Sequence, residues 1–232
     1  LRRVGRWRAA AIAAGHMNIP IAHLEGGDVT GSIDDSIRHA ITRFAHIHFV
    51  ETRMAAQRLI KMGENPQYIF NVGCASLDSL LNLQFIPPQD LAHRFNLDLS
   101  QHLILILQHP VTTEADEATR QIISTLAAVK KTGIQAILIY PNIDAGGRRI
   151  IKAVEEANIQ SYTNLPFEVY ASLMKMARVL VGNSSSGIIE APFLKLPAVN
   201  VGTRQQGRMK ADNVIDVAYD AEEIYRAIMK AI

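Results

Sequence analysis

The chain has 232 residues, of which 48% are hydrophobic and 20% charged, enough for one large or two small domains with packed cores. A net charge of +2 without an aromatic-and-basic stripe argues against nucleic acid as a partner. No apolar run approaches membrane-spanning length, no secretory signal is visible, and a single cysteine, Cys74, rules out an internal disulfide and fits a reducing compartment, so a cytoplasmic protein is expected.

In chain order, Ala9–Met17 is small and apolar and predicts a buried helix. Ile19–Leu24 reads as a strand with Pro20 near its start, where proline is tolerated. Glu25-Gly26-Gly27-Asp28 is a tight turn. Ile33, Ile37, Ile41 and Phe44 then recur at helical spacing, with Ser32 and Asp35 spaced as a capping box. Ile47–Val50 is a short strand, Arg53–Met62 a helix closed by Gly63, and Tyr68–Val72 another strand.

Pro87-Pro88 reads as a linker. Past it, Leu103–Leu107 is an unbroken apolar run, as expected of a parallel strand buried on both faces. Helices are expected over Glu114–Lys131, Ala145–Ala157, Pro166–Ala177 and Ala221–Ile232, and strands over Ile134–Tyr140, Val179–Val181 and Ala198–Val201. This alternation predicts an α/β fold of two doubly wound domains. The expected bounds are 1–86 for an N-terminal domain carrying carboxylates and 87–220 for a nucleotide-binding domain. A terminal helix over 221–232 has the option of packing back on the first domain.

Ligands of such sheets sit beyond the C-terminal strand ends, and four groups of polar residues fall there. At Val179–Pro197 an apolar strand runs into Gly182-Asn183-Ser184-Ser185-Ser186-Gly187 and a helix expected from about Ser185. Strand, small-residue turn and helix start aim backbone N–H groups at one point, which suits a phosphate. Glu190, further along that helix, is placed to accept hydrogen bonds from ribose hydroxyls. An ordinary connection with Ser as N-cap fits the same residues, and the glycine spacing matches neither a Walker A nor a dinucleotide fingerprint.

The second group is His23, Glu25, Asp34 and Asp35. Carboxylates sharing a pocket push their pKa values apart, so that one serves as base and another as acid; Asp34 and Asp35 alone are better explained as acids at a helix start. The third is Gln108–Glu114, where His109 follows a buried strand and suits either acid–base work or, protonated, a phosphate. Thr112 and Thr113 are candidate caps. The fourth, Asn142–Gly147 with Arg148 and Arg149, is a turn whose arginines meet either a charged ligand or solvent. The eight histidines and one cysteine show no metal-ligand spacing.

Five segments carry a family resemblance: HLEGGDVTGSIDDSIRHAIT (His23–Thr42), QHPVTTE (Gln108–Glu114), YPNIDAG (Tyr140–Gly146), VGNSSSGIIEAP (Val181–Pro192) and NVGTRQQGR (Asn200–Arg208). Together they resemble the UDP-N-acetylglucosamine 2-epimerases, in the hydrolysing branch of sialic acid biosynthesis rather than the non-hydrolysing one. The resemblance implies the two-domain GT-B fold with substrate in the interdomain cleft. It implies conversion of UDP-GlcNAc and water to N-acetylmannosamine and UDP through 2-acetamidoglucal, with no cofactor and no metal, in a homodimer or homotetramer.

Carried over by motif, Glu25 and Asp35 match catalytic carboxylates, with Asp34 beside them. His109 matches the histidine near the diphosphate, Ser184 and Ser185 the diphosphate contacts, and Glu190 the ribose contact. Arg204 matches a nucleotide-side arginine and Asn142 a lesser contact. The family begins well upstream of Leu1, with an Asp in a Gly-Asp-Arg-aromatic motif whose nearest counterpart here is Gly5-Arg6-Trp7-Arg8. A shortened N-terminal domain is therefore expected. The alternatives are an inactive UDP-sugar-binding module and a GT-B glycosyltransferase, against which the Glu25–Asp35 segment speaks.

Overall fold

The structure, a computed structural model, describes residues 3–30, 33–141 and 146–232. The chain divides into two compact units, Leu1–Asp78 with Gln206–Arg208, and Ser79–Gln205 with Met209–Ile232. Among the described residues all strands pair in parallel, three in one sheet and six in the other.

The first unit runs α1 (Arg3–His16), β1 (Ala22–Leu24), α2 (Ile33–Phe44), β2 (Ile47–Val50), α3 (Arg53–Lys61), a 3-10 turn (Pro66–Tyr68) and β3 (Ile69–Asn71); α4 (Ala75–Leu81) crosses the division. The sheet order is β1-β2-β3, with Leu24 opposite Phe49 and Phe49 opposite Phe70. Thr52 caps α3 by accepting the Ala55 N–H at 3.1 Å. The apolar face of α2 packs Ile37 and Ile41 on Ala11, while Val50, Ala55 and Leu59 form a second small cluster.

Helix α1 departs from expectation. Over residues 7–16 only Ala11 is buried, and Trp7 is 60% exposed. An alanine-rich segment reads as apolar, but each alanine offers little area to bury, so only the strip facing α2 is held down. The Ser32 half of the expected capping box lies outside the described residues.

In the second unit Pro87 and Pro88 do not form a plain linker: Pro87 caps and Pro88 opens α5 (Pro88–Phe95), the helix position where proline's missing N–H costs nothing. There follow β4 (Leu103–Leu107), a 3-10 turn (Thr112–Glu117), α6 (Ala118–Thr132), β5 (Gln135–Ile139), α7 (Gly147–Ala157), β6 (Ser161–Tyr162), α8 (Phe167–Met176) and β7 (Val179–Gly182). A 3-10 turn (Ser185–Gly187), α9 (Glu190–Phe193), β8 (Ala198–Val201), β9 (Val214–Val217) and α10 (Ala221–Ala231) complete it.

The sheet order is β6-β5-β4-β7-β8-β9. In this unit's own sequence that is the doubly wound 3-2-1-4-5-6 arrangement, whose direction reverses between β4 and β7. Alternation along β4 explains its unbroken apolar run. Ile104 and Ile106 join the cluster containing Ile122, Leu126 and Ile224, whereas Leu103, Leu105 and Leu107 join the cluster of Leu173 and Leu180 on the other face.

Helix α10 starts on Asp220, whose Oδ1 accepts the Glu223 N–H at 2.8 Å, and packs on α6 and β8 of its own unit. β6 and β9 carry no sequence signal of their own because short edge strands show too few residues for a period to emerge. Among the described residues no helix is long and apolar enough to cross a membrane.

Candidate functional site

The topology sends the loops after β4 and β7 to the switch point of the second unit, where doubly wound sheets leave a crevice. Gly182 closes β7 at φ 137°, and a side chain there would collide with the Leu107 carbonyl of the neighbouring strand. This close approach brings Asn183 against His109. Asn183 Oδ1 accepts the His109 N–H at 2.7 Å and its Nδ2 donates to the His109 carbonyl at 2.8 Å. Behind them Gln108 is held by Thr125, whose hydroxyl donates to Oε1 at 2.6 Å.

His109 is buried, and its pKa falls to about 3, first through loss of solvation and then through the neighbouring Arg204 guanidinium. The imidazole is therefore neutral at physiological pH in these surroundings.

The serine turn also differs from the expected helix. Ser185–Gly187 is one 3-10 turn capped by Ser184, whose Oγ accepts the Ser186 N–H at 3.3 Å. Helical structure resumes only at Glu190, for four residues. β-Branched Ile188 and Ile189, followed by Pro192 without an N–H, work against a continuous helix. So short a helix has little macrodipole, and what this turn can offer an anion is the local N–H and hydroxyl donors of Ser184 and Ser185.

Glu190 stands at the start of α9. Beside it and Ser186 lies the Tyr170 hydroxyl from α8, sealed from solvent, its pKa raised mainly by burial. Arg204 reaches back from the loop after β8, Nη1 donating to the Asn183 carbonyl at 3.0 Å, and Gln205 Nε2 donates to the same oxygen at 2.7 Å. Asn142 lies outside the described residues.

Two neighbours of this cluster were given no role from the sequence, although Glu114 closes the Gln108–Glu114 motif. Glu114 leaves helical backbone angles, at φ −127°, and its carboxylate accepts from Thr203 at 2.6 Å and from Gln121 at 2.7 Å. The expected helix from Glu114 consequently begins at Ala118, and Val111 rather than Thr112 or Thr113 precedes its 3-10 entry. Tyr219 packs so closely on Gly202 that a Cβ there would enter its ring. Its phenol is pushed up to about 12, mainly by burial and next by Glu114.

In the first unit Glu25 follows β1 and adopts φ 61°, a left-handed conformation that costs energy in any residue but glycine. Its N–H donates to the Phe49 carbonyl at 2.9 Å, so strand pairing holds the backbone there. The carboxyl pKa is raised, by burial first and by Glu51 at the end of β2 next, against smaller opposing effects of Arg38 and Arg208. Arg208 pairs with Asp28, and Arg38 Nη1 donates to the Asp28 carbonyl at 3.2 Å. Asp34 and Asp35 occupy the first turn of α2; Asp35 Oδ1 accepts the Thr30 N–H at 3.1 Å and faces His39 Nε2 at 3.7 Å. His23 is buried against Thr42, its Nδ1 at 3.2 Å from the hydroxyl, and burial together with His48 lowers its pKa to about 4.

Two parallel α/β units, the second with a nucleotide-type strand order and a donor-rich turn at its switch point, define the GT-B-like class. The solved structures agree on the fold. UDP-GlcNAc 2-epimerase from Neisseria meningitidis bound to UDP-GlcNAc superposes with a TM-score of 0.77 over 96% of this chain and 64% of that one, at 17% identity. The enzyme of Methanocaldococcus jannaschii in complex with UDP-GlcNAc and UDP gives 0.78 over 97% and 66%, at 20% identity.

The family profile described as UDP-N-acetylglucosamine 2-epimerase matches residues 6–232, and the chain belongs to that family. Among curated relatives it is 38% identical over 98% of its length to a UDP-N,N'-diacetylbacillosamine 2-epimerase (hydrolyzing) of Legionella pneumophila, and covers 62% of that protein. It is 38% identical to a GDP/UDP-N,N'-diacetylbacillosamine 2-epimerase (hydrolyzing) of Campylobacter jejuni over 86% of this chain, and 35% identical to a UDP-N-acetylglucosamine 2-epimerase of Neisseria meningitidis over 91%. The chain spans 54% and 56% of these last two.

Proposed function

We propose that the chain serves a hydrolysing UDP-sugar 2-epimerase acting on UDP-N-acetylglucosamine, which yields N-acetylmannosamine and UDP for sialic acid or related nonulosonic acid synthesis. The second unit holds the nucleotide: Ser184 and Ser185 donate to the diphosphate, Glu190 accepts from the ribose, and His109, Arg204 and Asn142 complete the polar shell. His109, neutral beforehand, gains proton affinity as the diphosphate approaches, and its imidazole N–H then stabilises the charge that develops on the departing UDP.

The carboxylates of the first unit perform the proton work. A base removes the C2 proton, that electron pair forms the C1=C2 double bond, and the C1–O bond breaks with its electrons leaving on UDP. Water then adds its hydroxyl to C1 while C2 is reprotonated from the opposite face. The environment of Glu25 is the observation that carries this reading. A strained, desolvated carboxyl with raised proton affinity suits a base for a weakly acidic C–H bond, with Asp34 and Asp35 as the acid and water-directing groups. A diacetamido sugar is the second reading of the substrate, favoured by the names of the 38%-identical relatives.

Proton NMR of the purified chain in D2O tests both sugars. The expected result is free N-acetylmannosamine carrying deuterium at C2, together with UDP. Turnover of the UDP-diacetamido sugar alone replaces the substrate. Binding of UDP without turnover of either overturns the assignment of catalysis to this chain.

A further inference from the structure

Asn183 ties three loops together. It follows β7 and is 0% exposed. Its N–H donates to the Leu107 carbonyl at 3.2 Å, at the end of β4. Its side chain makes the reciprocal pair with the His109 backbone at 2.7 and 2.8 Å, which fixes both peptide groups of that residue. Its own carbonyl collects Arg204 at 3.0 Å and Gln205 at 2.7 Å from the loop after β8. A buried amide is costly unless its groups are matched, and an apolar residue would serve the core better. What the amide adds is orientation: a single side chain and its backbone set the residues that follow β4, β7 and β8.

We propose that Asn183 is a positioning residue of the nucleotide site, holding His109 and Arg204 in a fixed relation to the Ser184–Ser186 turn so that the three loops present one rigid donor set to a diphosphate. The inference rests on the reading that this unit binds UDP. It assigns Asn183 no contact with the ligand. Its effect runs through the other residues, as a preorganised shell raises affinity by removing reorganisation on binding.

The test combines calorimetry with UDP and amide hydrogen exchange followed by NMR, on Asn183→Ala, Asn183→Asp, Arg204→Ala and the Asn183→Ala/Arg204→Ala double variant. In Asn183→Ala the His109 amide should exchange at least about tenfold faster while that of Leu105 in the core is unchanged, and the Kd for UDP should rise about tenfold or more. Arg204→Ala should cost clearly less in the Asn183→Ala background than alone, because an arginine no longer held in place has little left to lose. Asn183→Asp keeps the acceptor for the His109 N–H but sets a buried carboxylate oxygen against the His109 carbonyl, so a loss at least as large as in Asn183→Ala is expected; Asn183→Ser, small and uncharged, covers the case in which these variants fail to fold. Wild-type affinity in any folded Asn183 variant, or equal costs of Arg204→Ala in both backgrounds, overturns the proposal. Should the wild-type chain bind no UDP, the functional reading falls by itself. The exchange of the His109 amide without ligand then decides, and an unchanged rate in Asn183→Ala refutes the positioning role.

Discussion

Glu25 combines a left-handed backbone with a carboxyl made more basic by burial and by Glu51. Glu25→Gln is expected to abolish turnover while leaving the Kd for UDP within about twofold, because the proposed function assigns the nucleotide to the serine turn and Arg204. Ser185→Ala should instead weaken UDP binding by about 1 kcal/mol, the loss of one hydrogen bond. Equal losses of binding in both variants would contradict the division of roles.

His109 and His23 have pKa values of about 3 and about 4 against an ordinary 6.5, so the unfolded chain takes up protons that the native one refuses. The stability they contribute is present above pH 6.5 and is lost as pH falls through the folded values. Glu25, raised above 4.5, acts in the opposite sense and loses stability as pH rises through its folded value. Urea midpoints measured from pH 7 down to 4 should therefore fall, and His109→Gln should flatten that slope. At this scale His109, Ser184, Ser185, Glu190, Arg204 and Glu25 were legible as candidates because strand ends and motif order single them out. Asn183 and Glu114 stood inside those motifs without a role of their own and Tyr170 stood outside them, since their partners lie far away along the chain, as Asn183 does from His109.

Among the elements, β7 and the turn after it show how local pattern and packing diverge. The apolar strand was plain in sequence, but the helix expected from Ser185 became a 3-10 turn and four helical residues. Propensity favours a helix after Ser184, whereas Ile188, Ile189 and Pro192 limit how far it can extend. Gly182 is the rigid point of this element. Gly182→Ala should destabilise the protein by about 3 kcal/mol, because the new methyl meets the Leu107 carbonyl on a central strand that cannot retreat, in a conformation that itself favours glycine. Asp220→Ala, which removes only the cap of α10, should cost about 1 kcal/mol by the same denaturation measurement.

At the scale of the whole molecule the two units differ in how much core they own. The second buries continuous clusters on both faces of its sheet, while the first relies on the small groups around Ile37 with Ile41 and around Val50 with Leu59. Hydrogen exchange should therefore be slowest at Ile104–Ile106 and faster throughout β1–β3, and a first unit protected as strongly as β4 would contradict that ranking. By itself the sequence determined the α/β class, the strands from β1 to β8 that carry a strong apolar pattern, and the family, because periodicity and motif order are local properties of the chain. Tertiary structure alone decided the 3-2-1-4-5-6 strand order, the exposure of α1, the packing of α10 on α6 and β8, the burial that keeps His109 neutral and the pairing of Asn183 with the His109 backbone. Each of those depends on which distant segments come into contact and exclude water, and spacing along a single chain does not encode that.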